Sequence, residues 1–396
     1  MTVDPVNWPG LQKPGPFLKL RAWLGPRPLL QIGLLSVFAL VAILLGTAIS
    51  ANMTRIGITP GFGFLSRSAN FEIGEQTIAF RAGDTYLRAL AVGFLNTGKV
   101  AALGCVLATA LGVAIAIAGL SGNLLLAGLV RSYIEIIRNT PLLLQLFFWI
   151  SLVQSLPPPR RAFSVLDAFY LSNRGVFLPG FTAVGGSQWT WIASLACLAI
   201  AMGLAVFLRR RDTSNRMPAI TALIALAIAA LVLFAGGARV ELSVPQLSGF
   251  NIRGGYSLTP EFAALLTGLV VKFSASIAEI VRAGILSVKP GQWEAGRALG
   301  LSNAQIVRLI VLPQAMRVIT PLTTSNYLDL TKDSSLAVAI GYPDLVNIVN
   351  TTANTTGQAF EALIILVIVY VTLNIGVSLA MNAYNARVAL KGGRPA

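Results

Sequence analysis

The most informative segment of the sequence is VKPGQWEAGRALGLSNAQIVRLIVLPQAMR, from Val288 to Arg317. Its first part predicts a short helix, because Pro290 suits the first helical position and Gly300 suits the position just after a helix end. We expect Glu294 in the first turn, where the positive end of the helix dipole stabilises a carboxylate. This helix should therefore be short and end in a tight corner.

A second helix is predicted beyond the corner. Ser302 and Gln305 have the spacing of a capping box, in which each side chain bonds the backbone of the other. Pro313 has no amide hydrogen and should interrupt this helix before the next apolar run. The segment 288–317 therefore predicts a rigid elbow, called the elbow below, and small residues on its first helix would allow close approach of another helix: Ala295, Gly296 and Ala298.

The composition around the elbow is that of a membrane protein. Of 396 residues, 55% are hydrophobic and 11% are charged, and the mean hydropathy is +0.73. A soluble globular chain would carry about 25% charged residues. The sequence has no histidine and two cysteines, which excludes histidine-based zinc and haem sites, a Ser-His-Asp triad and a multi-cysteine metal site. We expect a polytopic membrane protein with no catalytic or metal site of its own.

Apolar runs long enough, or nearly long enough, to cross the membrane occur eight times. A helix needs about 20 residues to cross the ~30 Å hydrocarbon core, so the third and seventh runs need neighbouring residues. The first run is too long for a signal peptide and follows a basic arm, which predicts an uncleaved span. The sequence thus predicts an all-α fold with about eight transmembrane helices: Leu29–Ala51, Ala89–Ala118, Pro141–Leu156, Gln188–Leu208, Pro218–Gly236, Glu261–Ala283, Val318–Leu330 and Glu361–Ala383.

The positions of the basic residues predict the orientation. The chain has 30 Lys and Arg residues and a formal net charge of +15. Eighteen of these residues fall on the side of the membrane that holds the elbow and both termini, and ten fall on the other side. Because cytoplasmic loops carry the excess of Lys and Arg, we expect the elbow and both termini in the cytoplasm. Membrane topology accounts for the charge, so no nucleic-acid partner is expected.

The predicted spans divide the chain into three parts. Residues 1–88 comprise an N-terminal arm, the first span and a periplasmic loop. Residues 89–385 comprise a transmembrane domain, and residues 386–396 a cytoplasmic tail. Within the domain, residues 157–258 open with three prolines and are rich in glycine and aromatic residues. We interpret 157–258 as an insertion with two spans, which forms either a periplasmic docking surface or a lipid-facing layer.

The elbow resembles a motif of a known family. Its residues have the spacing of the EAA loop of type I ATP-binding-cassette (ABC) importer permeases: Glu294, Ala295, Gly296, Gly300, Ile310, Leu312 and Pro313. One position departs from the pattern, since alanine is usual where this chain has Gly296. The stretches 138–149 and 331–336 resemble the polar amino-acid branch of these permeases. Across 89–156 and 259–385, and with the insertion, the chain resembles the long permease of alphaproteobacterial importers for general L-amino acids or for glutamate, glutamine, aspartate and asparagine.

This resemblance implies a mechanism and a set of partners. The chain would be one permease of an importer in the bacterial inner membrane, with a cytoplasmic ATPase dimer, a second and different permease, and a periplasmic amino-acid-binding protein. ATP and Mg²⁺ would bind to the ATPase, so this chain would bind no cofactor. Glu294 would orient the elbow against the ATPase and Gly300 would set its corner. Three further residues would anchor the elbow to the next span: Ile310, Leu312 and Pro313.

Polar residues inside the spans are candidates for the substrate path, because such groups are costly in a membrane. Lys272 and Glu279 face roughly one side of the sixth span, and Asn326 and Asp329 share the seventh; such a set could bind the ammonium and the carboxylate of an amino acid. Alternatively, Glu279 pairs with Arg282 at the cytoplasmic end as a structural or gating pair, and Lys272 extends toward the surface. The motif after the seventh span adds two residues without a deduced role: Lys332 and Asp333.

Two other interpretations of the sequence are a nucleotide-binding site and a secondary transporter. Residues Gly93–Val100 nearly match a phosphate-binding loop, but no strand precedes them and valine replaces the required hydroxyl, so no nucleotide site is expected. The alternative function is an ion-gradient-driven secondary amino-acid transporter. Such a transporter would need no ATPase and would tolerate the loss of Glu294 or Gly300.

Overall fold

The computed structural model describes residues 28–55, 57, 60–185 and 239–390, together with isolated positions between 200 and 237. These residues are mostly helical. The predicted spans Gln188–Leu208 and Pro218–Gly236 lie outside the described residues, apart from the isolated positions. Four other predicted spans are confirmed as long apolar helices: α1 (Pro28–Arg55), α2 (Tyr86–Gly119), α5 (Pro260–Leu286) and α10 (Ala359–Leu390).

The third predicted span is shorter than expected. It forms α4 (Leu142–Gln154), which follows α3 (Leu124–Asn139) after a bend of 105°. Pro141 explains the bend, because proline forces the preceding residue out of the helical region, and Thr140 is extended with φ −93° and ψ 127°. Since 13 residues rise only about 20 Å, α4 alone does not cross the bilayer. The described residues contain five helices long and apolar enough to cross, or six if α3 and α4 form one broken span.

The elbow and the seventh predicted span are helical almost throughout. The prediction of Val318–Leu330 is too short, because the helical stretch that could cross the membrane extends over residues 303–340. Threonines lower its hydropathy, but their hydroxyls bond within the helix, as Thr320 does to the Met316 carbonyl at 2.6 Å. The order along this region is α6 (Pro290–Ala298), α7 (Asn303–Ile306), a π-helical turn (Val307–Val311), α8 (Leu312–Asp333) and a 3-10 turn (Ser334–Ile340).

The described ends of the insertion contain short strands, which the sequence did not predict. The strands are β1 (Phe163–Val165), β2 (Phe169–Ser172), β3 (Gly175–Leu178), β4 (Gly180–Val184), β5 (Arg239–Ser243), β6 (Gln246–Ser248), β7 (Asn251–Arg253) and β8 (Tyr256–Leu258). One antiparallel sheet has the order β1-β2-β3-β8, and two two-stranded antiparallel sheets pair β4 with β5 and β6 with β7. Strands of three to five residues are too short for a clear alternating pattern. Strand β3 pairs with β8, which lies far along the chain, so no local pattern predicts that pairing.

The core lies where α2, α4, α5 and α8 meet, and small residues set the closest crossings. A Cβ on Gly112 of α2 would lie 2.9 Å from the Ile277 side chain of α5, so only glycine permits this approach. At the other end of α2, a Cβ on Gly93 would lie 3.0 Å from the Leu345 backbone, where α9 (Leu345–Thr356) begins. The sheet ends at β8, and α5 begins directly after it with Thr259 as its N-cap. One helix therefore connects the strands to the elbow.

Candidate functional site

The corner of the elbow has the predicted geometry. Gly300 has φ +73°, a left-handed conformation that favours glycine. Its amide donates to the Arg297 carbonyl at 2.9 Å, and the Leu301 amide donates to the Gly296 carbonyl at 3.1 Å. Together these bonds form a Schellman motif, which satisfies two carbonyls at the end of α6. Backbone hydrogen bonds thus fix the turn at the end of α6.

Glu294 lies on the surface of α6. The expectation of a first-turn position is wrong, because the helix begins at Pro290 and no acidic residue occupies its first turn. The dipole stabilises charges mainly within the first turn, so it contributes little at Glu294. The residue is exposed, and among the described residues no basic group forms an ion pair with it. Its carboxylate is therefore free to meet a group outside this chain.

The second half of the elbow confirms the capping box and corrects the effect of proline. The Gln305 amide donates to Ser302 Oγ at 3.4 Å, and the Ser302 amide donates to Gln305 Oε1 at 2.8 Å. Pro313 does not interrupt the helix, because it is the second residue of α8 and follows the π-helical turn. A π turn is a common way for a helix to accept a residue that cannot make the regular bond. The elbow therefore continues into the span without a break.

Close packing joins the two halves of the elbow. Gly296 is buried, and a Cβ placed on it would lie 2.8 Å from Ile306 Cγ1 and 3.2 Å from Ile310 Cδ1. Ile310 thus packs toward α6, whereas Leu312 is 43% exposed. The Leu299 side chain, at the corner, is 77% exposed. Ala295 and Pro313 are exposed as well, so the elbow presents a partly apolar surface to its surroundings.

Lys272 lies at the bend between α3 and α4 and bonds only to backbone carbonyls. Its ammonium donates to the carbonyls of Ile137, Arg138 and Thr140 at 3.3, 3.0 and 3.3 Å. The Gln145 amide donates at 3.0 Å to two of the same carbonyls. Carbonyls at a helix end have no partner within the helix, so Lys272 and Gln145 stabilise the bend.

The same lysine brings two sequence motifs together. Asp333, at the end of α8, is close enough to Lys272 to interact electrostatically with it. Asp333 belongs to the stretch 331–336, and the bend belongs to the stretch 138–149. Sequence reasoning identified both stretches, but only the folded chain shows that Lys272 lies between them.

The remaining polar candidates do not form one cavity. Glu279 and Arg282 form a bidentate ion pair, with N–O distances of 3.0 and 2.6 Å. On α8, Asp329 and Lys332 form an exposed pair at 3.6 Å, and the Asn326 amide donates to the carbonyl of its own helix at residue 322. The candidates therefore occupy three places: the bend, the elbow end of α5 and the surface of α8.

A mainly apolar cavity of about 350 Å³ lies between α2, α5, α8 and α10. Five polar side chains on its wall were not predicted: Thr109, Thr320, Thr323, Tyr327 and Tyr384. The hydroxyls of Thr109 and Tyr327 are 2.6 Å apart and bond to each other. Tyr327 follows Asn326 directly in the sequence. A tyrosine beside other polar residues in an apolar span is the signal that could have identified Tyr327 as a cavity-lining residue.

A charged cluster at the opposite end of α5 was also missed. Lys99 Nζ lies 2.6 Å from Glu75 Oε1 and 4.2 Å from the centre of the Phe262 ring. Thr259 donates to the other Glu75 oxygen at 2.5 Å. These contacts tie the loop before α2 to α2 and α5. The sequence signal was a single lysine inside an apolar run. Lys99 lies within the regular helix α2, whereas a phosphate-binding loop needs an irregular glycine-rich backbone.

Comparisons with known proteins identify a matching family and several relatives of this chain. Residues 217–390 match the family described as binding-protein-dependent transport system inner membrane component. The chain is 43% identical to the putative amino-acid ABC transporter permease protein YhdX of Escherichia coli (strain K12), covering 94% of this chain and 95% of the relative. It is 42% identical to the general L-amino acid transport system permease protein AapQ of Rhizobium johnstonii, covering 86% of each chain.

A third relative is the glutamate/glutamine/aspartate/asparagine transport system permease protein BztB of Rhodobacter capsulatus, with 33% identity over 91% of this chain and 93% of the relative. A crystal structure of an amino acid ABC transporter with histidines aligns with 23% identity and a TM-score of 0.46, covering 76% of this chain and 95% of that one. The identities of 33–43% to the three permeases, over 86–94% of this chain, show that the protein belongs to the family of amino-acid ABC transporter permeases.

Proposed function

We propose that this permease imports polar L-amino acids and that a cytoplasmic ATPase drives it through the elbow. The observation that carries the proposal is the elbow itself, a rigidly cornered segment whose Glu294 is exposed and has no ion-pair partner among the described residues. The exposed Leu299 adds an apolar contact beside it. The substrate class follows the names of the relatives, which concern general L-amino acids and the glutamate and aspartate group.

The mechanism rests on the continuity of α5 and the elbow. The 27 residues of α5 extend about 40 Å, from the sheet to the segment that would contact the ATPase. ATP binding would favour one of two arrangements of the bundle, and the elbow would transmit that preference. The Schellman corner and the Gly296 packing support this role, because a soft corner would absorb the displacement instead.

The partners follow from the same mechanism. A dimer of ATPase subunits would bind ATP and Mg²⁺, while this chain binds no cofactor. A second, different permease would complete the transmembrane pair, and a periplasmic binding protein would deliver the amino acid. The elbow and both termini would lie in the cytoplasm, and the spans in the bacterial inner membrane.

Within the membrane we assign different roles to the polar candidates. The Glu279–Arg282 pair, four to seven residues before the end of α5, would act as a gating pair at the cytoplasmic end. Asn326 and Asp329 on α8 would belong to the substrate path shared with the second permease. Lys272 would hold the bend and Asp333 would balance its charge, without contacting substrate; Lys332 would pair with Asp329.

The test is co-purification of the tagged chain, followed by uptake in reconstituted vesicles. The Glu294→Arg, Gly300→Asp double variant should lose the ATPase subunit and uptake. Glu72→Arg repeats the charge reversal of Glu294→Arg on an exposed residue of the loop before α2 and should retain both. Uptake that continues after ATP depletion with the ion gradient held would instead support the secondary transporter. A double variant that keeps its ATPase would contradict the role of the elbow.

A further inference from the structure

We propose that a pocket between α2, α3 and α5 binds the phosphate headgroup of an anionic phospholipid. The pocket has a volume of about 320 Å³ and lies where α2 ends, beside α3 and the last turns of α5. Its polar wall consists of five charged side chains: Arg131, Glu135, Arg138, Glu279 and Arg282. Nothing in the import mechanism uses the residues of α3 among them.

The charges of this pocket leave cationic groups available. Glu279 is already bound by both nitrogens of the Arg282 fork, so those two charges largely cancel. Among the described residues, Arg131 and Arg138 form no ion pair, and Glu135 is the one other acid on the wall. Two guanidinium groups facing one cavity suit a phosphate, because their planar donors bind its oxygens in pairs.

The pocket is formed before any ligand arrives. A Cβ on Gly119 would lie 2.8 Å from Val130 Cγ1, so α2 and α3 meet closely at the closed end. Asn123 Oδ1 caps α3 by accepting two backbone amides at 3.0 and 3.2 Å. The Tyr133 hydroxyl bonds to the Ser274 hydroxyl at 2.9 Å and holds α3 against α5. Binding would therefore require little ordering of the protein.

The surroundings favour a lipid over a soluble anion. The surface of α3 and the end of α2 next to the pocket is apolar and exposed, as hydrocarbon contact requires: Ile117 63%, Leu124 89%, Leu125 74%, Leu129 62% and Ile136 64%. A helix with basic residues on one face and aliphatic residues on the other lies at a membrane surface. Basic pockets between helices on the cytoplasmic side are suited to anionic headgroups.

The location relates the pocket to the elbow. Arg282 precedes the end of α5 at Leu286 by four residues, which is about 6 Å along the axis. The headgroup would thus lie on the same side of the membrane as the elbow. Assigning it to the cytoplasmic leaflet rests on the orientation in the proposed function.

The test measures lipid retention by the purified chain in phosphatidylcholine nanodiscs that contain a minority of phosphatidylglycerol, using native mass spectrometry. The Arg131→Gln, Arg138→Gln double variant should retain phosphatidylglycerol on the order of tenfold less than wild type. The Arg131→Lys, Arg138→Lys double variant keeps the charge without the paired donors and should keep part of the binding, and Glu135→Gln should increase it. Arg81→Gln with Arg253→Gln removes two exposed arginines away from the pocket and should change nothing.

Three outcomes would overturn the proposal. Equal loss of phosphatidylglycerol in the Arg131→Gln, Arg138→Gln variant and in the Arg81→Gln, Arg253→Gln control would mean that retention follows overall charge. Retention unchanged in the α3 variant would mean that the lipid binds elsewhere. Two results together would identify a free anion as the ligand. Inorganic phosphate would displace phosphatidylglycerol, and it would also raise the unfolding temperature of the chain in nanodiscs free of anionic lipid. Lipid retention is measured without transport, so a failure of the import mechanism would appear separately in the uptake assay.

Discussion

Gly296 and Ile306 approach so closely that a Cβ on residue 296 would lie 2.8 Å from Ile306 Cγ1. The contact joins the two helices of the elbow across its corner. The family pattern has alanine at this position, yet in this chain the bulk of Ile306 occupies the space that an alanine methyl would need. A substitution that looks conservative in the sequence is therefore expected to disturb the elbow.

Gly296→Ala should destabilise the elbow by about 1–3 kcal/mol, the usual effect of overpacking. Thermal unfolding and ATPase retention would both report it. In an Ile306→Ala background the same substitution should have a smaller effect, since the opposing side chain is gone, and a double-mutant cycle measures this coupling. Additive effects of the two substitutions would contradict the contact.

Gly300→Ala should lower the free energy of unfolding by roughly 1–2 kcal/mol, because its φ of +73° is strained for residues with a Cβ. No atom lies within 4 Å of a Cβ at this position, so the effect should come from the backbone alone. Gly291→Ala, within α6, is the control in the same segment, also without contacts but without positive φ. It should be neutral or slightly stabilising, and equal effects at both positions would argue against the corner.

Lys272→Met should destabilise the permease by roughly 1–3 kcal/mol, because carbonyls at the bend lose their donor. Thermal unfolding of the purified chain measures this loss. Lys272→Arg, which can still donate, should recover part of it. If Lys272 instead contacts the substrate, Lys272→Met would raise the KM for uptake without changing the unfolding temperature, and that result would restore it to the substrate path.

Glu75→Leu and Lys99→Met should each destabilise the chain by about 3–5 kcal/mol, since each leaves one buried charge without its partner. The double variant should be closer to wild type than either single variant. Arg88→Met is the control, because the Arg88–Asp84 pair is more exposed and longer, at 3.5 Å, and an exposed pair contributes at most about 1 kcal/mol. Single variants no worse than this control would exclude a structural role for the Lys99 cluster.

Asp344 should make stability depend on pH. It caps α9 through a bond from the Asn347 amide at 2.9 Å, and burial raises its pKa from 3.8 to about 7. Between these values the folded protein binds a proton that the unfolded protein releases, so this contribution to stability falls as pH rises from about 4 to about 7. Asp344→Asn keeps an oxygen for the cap and should flatten the profile and be more stable than wild type above pH 7. Parallel profiles for the two proteins would contradict the shift.

Local features of the elbow could be predicted because their causes are local. The Gly300 corner and the Ser302 capping box depend on residues within one turn of each other, and the sequence contains both partners. Glu294 lies just beyond the first turn, because the helix begins at Pro290 as predicted and Glu294 is its fifth residue. Long apolar runs such as the one in α2 were also predictable, because hydrocarbon thickness sets their length.

The membrane class, the long spans, the elbow and the family could be predicted because they depend on composition and short-range spacing. The partners of the polar residues could not, because they depend on how distant helices pack. Lys272 is a sequence candidate for the substrate path, and the structure places its ammonium on the carbonyls of the bend, including that of Thr140, while Lys99, a lone lysine in an apolar run, pairs with Glu75. These partners are 132 and 24 residues away along the chain. A buried charge takes whichever partner the packing of distant helices supplies, and no local pattern encodes that choice.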